Sequence, residues 1–340
     1  MIQTLVAVLM WLLVASLLFL RRKRAERNVT YAALAIAIAM TLNVDSIYIA
    51  ADTVLGATNI ATLLADSALM IGLFFLARGI MKAEKDHQTL VRIALSFPVL
   101  PVALAGILVT FLFIHRGPTT TTFMINLGDQ PAAAAYSMIE FTYCGIVVAA
   151  MAALTARQYR LKERTQRIPA ALLFLGSIFA ITLCAVVVTM DIAHVAGNLR
   201  LLDTVAEAYG LLYLLTFIFL CAGLAAQPAI RYARKRVRVT KTDALVKQLG
   251  PMWRRATLVR PSLSPTDTPA ASAADPERRL HRAIVEIRDA MIDPRVEFEM
   301  TRPDRALLEQ AEEHLLGVAA RDAHAAKPSS NRRESERRRA

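Results

Sequence analysis

Seven long apolar stretches alternate with short polar loops along this chain, at about 2–20, 30–51, 59–80, 93–114, 134–155, 169–190 and 205–226. Bilayer hydrocarbon is roughly 30 Å thick and takes about 20 apolar helical residues to cross. Each stretch therefore has the length of a span. Backbone polar groups find no water in lipid, so each span has to close its own hydrogen bonds as a helix. The pattern predicts an all-α fold, a seven-helix transmembrane bundle over residues 1–228 followed by a small cytoplasmic helical C-terminal domain.

Past Gln227-Pro228 the pattern changes. Residues 229–260 join the basic run Arg231-Tyr232-Ala233-Arg234-Lys235-Arg236-Val237-Arg238 to a short helix. Its apolar set is Leu245, Leu249, Met252, Trp253 and Leu258, with an interruption expected at Gly250-Pro251. Residues 261–275 are rich in Pro, Ser, Thr and Ala and read as a flexible linker. Asp275-Pro276-Glu277 is a helix start, a capping Asp followed by Pro at the first helical position. Leu280, Ile284, Ile287 and Met291 then recur at helical spacing until Asp293-Pro294. A second amphipathic helix over about 304–320 completes a helical hairpin across 276–322. Two short helices need a covering surface, and the Trp253 segment, a second copy or the membrane face can provide it. Residues 323–340, polar and basic, read as disordered.

Charge orients the bundle. Basic residues crowd every second loop: Arg21, Arg22, Lys23, Arg24 and Arg27; Arg78, Lys82, Lys85 and Arg92; Arg157, Arg160, Lys162, Arg164 and Arg167; then the run from Arg231 to Lys241. The alternate loops carry none, Arg116 alone and Arg200 alone. Lys and Arg beside spans are retained in the cytoplasm, which predicts an extracellular N-terminus and a cytoplasmic C-terminus in a multi-pass bacterial plasma-membrane protein. Basic residues follow the first apolar run instead of preceding it, the reverse of a cleavable signal, so that run is expected to stay as a helix. The composition agrees: 55% of residues are apolar and mean hydropathy is +0.41. The net charge of +12 sits at these loops and in the tail, where anionic lipid headgroups account for it and nucleic acid is not required. Cys144, Cys184 and Cys221 all fall inside spans and read as packing residues, not as a disulfide or metal framework.

Candidate chemistry lies in the acids. Ionisable side chains inside a bilayer are costly and mark functional candidates. Asp45, Asp66, Glu140 and Glu207 all fall in the outer parts of their spans, at most about 10 Å below the outer boundary at roughly 1.5 Å rise per residue. Asp191 and His194 mark the outer end of span six at a spacing that shares a helix face. One reading is an acid-lined, water-filled cup open to the outside, with Asn43, Ser46, Tyr48, Ser67 and Tyr143 as neutral ligands. The plain alternative is a set of interfacial acids in contact with water. Pro98 and Pro101 in span four break the helical ladder and free backbone carbonyls, as a kink or as part of an ion site. The loop Pro118-Thr119-Thr120-Thr121-Thr122 reads as a solvated turn or a polar lid. No phosphate-loop, HExxH or GxSxG pattern is present, so neither an enzyme nor a cofactor or metal is expected.

The segment Leu280-His281-Arg282-Ala283-Ile284-Val285-Glu286-Ile287-Arg288-Asp289-Ala290 resembles the C-terminal signature of an actinobacterial family of seven-span membrane proteins. Leu249, Trp253 and Leu258 followed by Pro261 resemble a second block of that family, with Pro251 as a departure. The resemblance covers about 240–320 together with the seven-span layout. The family is of unknown function and labelled as transporters, so it implies no ligand or catalytic residue here. Glu286, Arg288 and Asp289, beside the apolar stripe, are candidates for docking a cytoplasmic partner protein or a second copy of the chain. Three functions remain open from the sequence: a transporter for a cation, amine or proton-coupled solute using Asp45, Asp66 and Glu140; a seven-span sensor signalling through its tail; and a membrane scaffold.

Overall fold

The computed structural model describes residues 1–20, 27–82, 89–161, 164–259, 275–295 and 297–326, and every regular element among them is helical. The expected linker at 261–274 and most of the expected disordered tail, from 327 on, lie outside these residues. The chain forms two units, Met1–Arg231 and Tyr232–Ala340.

The first unit begins with α1 (Ile2–Leu20) and α2 (Arg27–Leu42). At Asn43-Val44 the chain turns through 89° into α3 (Asp45–Val54). Thr41 prepares this turn: its hydroxyl bonds back to the Ala37 carbonyl at 2.7 Å, which bends a helix, and accepts from Trp11 Nε1 at 2.9 Å. Val44 is extended, so the helical ladder stops and restarts at Asp45, an acid placed well at a helix N-terminus. The straight span expected over 30–51 is therefore a bent pair.

After α4 (Ile60–Lys82), the stretch expected as span four forms α5 (Thr89–Ala94) and α6 (Val99–Phe113), parted at Ser96-Phe97-Pro98. Proline removes the N–H that would continue the ladder. Arg78 Nη1 caps the open end by donating to the Leu95 carbonyl at 2.6 Å, with its guanidinium 4.0 Å from the centre of the Phe97 ring. The 15 residues of α6 rise roughly 22 Å, short of the bilayer core.

A short α7 (Phe123–Leu127) leads to three long helices, α8 (Pro131–Leu161), α9 (Arg164–Val195) and α10 (Leu199–Val259), the last shared by both units. Among the described residues five helices are long and apolar enough to cross a membrane, or six with the bent pair, as in a polytopic membrane protein. Helix α8 packs against α4, α6 and α9, with Tyr136, Val147 and Met151 buried along it. Helices α9 and α10 approach at Gly176 and Gly223. A Cβ on either would stand 2.8 Å from a backbone nitrogen of the other helix, at Leu220 and Leu173 respectively. The three cysteines are free and buried, as packing residues are.

In the second unit, α11 (Pro276–Ile292) and α12 (Arg302–Ala326) pack with the later turns of α10. Asp275 caps α11 as its sequence implies, accepting from Glu277 N at 3.1 Å. Leu245, Leu249, Met252 and Ala256 meet Leu280, Ile284, Ile287, Leu308 and Ala311 in a closed core. Three expectations are corrected. Helix α10 runs unbroken through Gly250-Pro251, where both Pro251 and Lys247, whose carbonyl the proline leaves open, are exposed and water can satisfy it. Leu258 is 80% exposed and contributes nothing to the core. Helix α12 also runs on to Ala326, past the expected hairpin end.

Candidate cation site

The first unit encloses a cavity of about 810 Å³ walled by α1 to α4, α8, α9 and the early turns of α10. Helix α4 presents Asp66 to it, and α8 presents Tyr136, Ser137 and Glu140, which share one face because they lie three and four residues apart. Tyr136 donates its hydroxyl to Asp66 Oδ2 at 2.6 Å. Glu140 is only 4% exposed and its carboxyl group is close enough to that of Asp66 for a hydrogen bond between them. Neither carboxylate has a donor of its own, so that bond requires one proton held between the two.

Asp191 on α9 faces the same space. It is 6% exposed, its Oδ2 has no hydrogen-bond partner, and its charge acts on Glu140. Thr216 Oγ1, also lining the cavity and buried, has no partner either, and the Ser137 hydroxyl lies beside the Asp191 carboxylate. Among the described residues the lining contains the acids Asp45, Asp66, Glu140 and Asp191, no Lys, Arg or His side chain, and the first residue, Met1. Its field favours a positive guest. Among the described residues no three His, Cys, Asp or Glu side chains come close enough to hold a metal ion.

The other sequence candidates lie further from this centre. Asn43 and Asp45 line the cavity, but Asp45 is exposed at the first turn of α3 instead of deep in a straight span. Glu207 is exposed and not part of the lining. His194 is half-buried beside Asp191 and also lies outside it. Tyr48 lines the wall; Tyr143 is buried elsewhere on α8, its hydroxyl unpaired.

Sequence reasoning passed over Asp52, which is fully buried. It accepts from Asn59 N at 2.9 Å, Ala61 N at 3.1 Å and Thr119 Oγ1 at 2.6 Å. Asn59 then accepts from Tyr48 OH and Thr120 N, each at 2.9 Å. The threonine loop is thereby fastened to the α3–α4 corner, and Thr120, Thr121 and Thr122 form part of the cavity wall. The signal in the sequence was a polar corner, Asp52 to Asn59, opposite a loop of hydroxyl donors. Tyr136 was missed as well, although its spacing from Glu140 places the two on one helix face.

In the second unit Glu286 accepts from Trp253 Nε1 and from Arg282 Nε, the latter at 2.7 Å. Arg288 forms a two-pronged pair with Glu312 at 2.7 and 2.8 Å. The Arg288 hydrogen bond holds the Glu312 carboxyl below its usual range, and Arg255 does the same for Asp304 across 2.8 Å. Asp289 is half-buried. Glu286 and Arg288 are thus bonded inside the unit. No protein-family model, curated protein or solved structure matches the chain.

Proposed function

We propose that this protein is a transporter that binds a cation or amine, or couples a solute to protons, at Asp66 and Glu140 within a seven-span bundle. The observation that carries this reading is the convergence of Asp66, Glu140 and Asp191, from three helices, on one cavity whose described lining holds no basic side chain. A buried acid is expensive in a membrane unless a cation or proton compensates it. On this reading the bent α2–α3 pair and the broken α5–α6 segment each count as one crossing. The basic loops then lie in the cytoplasm, against anionic headgroups of a bacterial plasma membrane, with the N-terminus outside. The tail's resemblance to seven-span proteins labelled as transporters points the same way.

A second reading, a sensor, draws on α10. The helix that supplies Tyr209 and Tyr213 to the cavity also supplies Leu245 and Leu249 to the second core. Occupancy of the cavity would then bias the second unit and a cytoplasmic partner or a second copy.

Purified protein in proteoliposomes separates the two. A transporter moves a monovalent cation or amine down an imposed gradient, and Asp66→Asn or Glu140→Gln lowers the rate about 100-fold, the effect of losing roughly 3 kcal/mol of charge compensation. Absence of flux across inorganic cations and amines, with tail-dependent binding of a cytoplasmic protein, supports the sensor instead.

A further inference from the structure

The cavity wall carries a second pattern beside its acids. Tyr209, Tyr213 and Phe217 recur every fourth residue on α10 and stand on one face. Their ring centroids are 5.8 Å apart in the first pair and 5.0 Å in the second, and all three rings line the cavity. Aromatic faces attract cations, most strongly where water is excluded. Leu69, Leu73 and Leu220 add hydrocarbon to the wall. A small inorganic ion would gain nothing from the hydrocarbon and ring surfaces of such walls and would be held by the carboxylates alone. An organic cation gains dispersion contacts and the ring faces together, and about 810 Å³ falls within the range of pockets for drug-sized molecules. The buried, unpartnered atoms Asp191 Oδ2 and Thr216 Oγ1, with the Ser137 hydroxyl beside Asp191, mark the polar part of the same space.

We propose that the cavity exchanges the single proton of the Asp66–Glu140 pair for one monovalent, lipophilic organic cation. Its charge sits at the carboxylates and its hydrocarbon body lies against Tyr209, Tyr213 and Phe217. This specifies the substrate class of the transporter reading above and rests on it. In the exchange the carboxyl O–H bond breaks, the electron pair stays on the carboxylate oxygen, and the proton passes to water. One positive charge leaves the site and one enters, so its net charge is unchanged.

The test uses the full-length protein in detergent, titrated with tetraphenylphosphonium in weakly buffered solution while released protons are counted. The expected result is about one proton per cation bound, with affinity falling about tenfold per pH unit on the acid side. Tyr213→Leu should weaken binding about tenfold and keep the proton count, whereas Tyr213→Phe should bind nearly as the parent does. Saturable binding with no proton release overturns the exchange. The parent protein decides this alone, so a poorly folded variant leaves nothing open. Asp66-dependent flux of potassium or tetramethylammonium without tetraphenylphosphonium binding overturns this inference and leaves the transporter reading standing. No flux or binding of any of these cations overturns both.

Discussion

Asp66 was readable as a candidate because an acid in a long apolar run has no other ready explanation, and Glu140 for the same reason. What the sequence could not supply is that they touch. Their contact depends on how α4 and α8 pack, and no local spacing encodes it. Tyr136 went unread because a tyrosine in a span is an ordinary amphipathic residue until its hydroxyl is seen on Asp66. Asp52 went unread because it lies one residue beyond a span drawn straight to 51. Its three hydrogen bonds make a residue-scale prediction. Asp52→Ala leaves two backbone N–H groups and a hydroxyl without their acceptor, at a cost of about 1–3 kcal/mol. Hydrogen exchange should rise in residues 57–62 and 117–122 while the α8–α9 amides stay protected. Equal exchange in parent and variant would mean the threonine loop is held by something else.

At the scale of elements, length and hydropathy located the helices, and their breaks carry the information that was hidden. Pro98 announced the α5–α6 break in advance, because proline acts on its own backbone. The 89° turn after α2 carried no such mark, since Thr41, Asn43 and Val44 are each compatible with a continuing helix. Pro251 warned of a break that does not occur, because the carbonyl it opens lies at an exposed position. The α9–α10 crossing offers a direct check. Gly176→Ala or Gly223→Ala forces a methyl against backbone across the interface. Either should destabilise the bundle by about 1–3 kcal/mol, read as earlier thermal unfolding in detergent, whereas Gly317→Ala, with open space around it, should not. In the second unit Glu312 and Asp304 are ionised more readily when folded than when unfolded, because Arg288 and Arg255 hold them. Their contribution is therefore complete above the ordinary carboxylate range and is lost as pH falls through their lowered folded values. Protection of the Leu249 and Ile287 amides, corrected for intrinsic exchange, should hold near neutrality and decline below roughly pH 4. Arg288→Gln should lower protection near neutrality and make that decline shallower, because the share owed to Glu312 is gone; an unchanged acid limb would mean that the Arg288–Glu312 pair contributes nothing to it.

For the molecule as a whole, the sequence displayed two electrostatic poles, basic residues in every second loop and acids within the apolar stretches. The first pole bears on the expected orientation alone. The second divides once it is folded: Asp66, Glu140 and Asp191 close on one cavity, Asp45 stays at its exposed edge, and Glu207 stays outside it. Membrane class was legible because a bilayer imposes length and hydropathy locally, whereas the site was only partly legible because tertiary packing builds it. The tail shows the same contrast. Its apolar stripe was readable, but that Glu286 and Arg288 bond inwards follows from how three helices meet. Function on this reading turns on one proton, shared by Asp66 and Glu140 in a cavity that a cation can enter. Labelling of the membrane-reconstituted protein with dicyclohexylcarbodiimide, which attacks protonated carboxyl groups in apolar surroundings, tests it most directly when the modified residues are mapped by mass spectrometry. Adducts are expected on Glu140 or Asp66, not on Asp52 or Glu207, suppressed by millimolar organic cation. Labelling that ignores the cation, or that spares both residues of the pair, would contradict it.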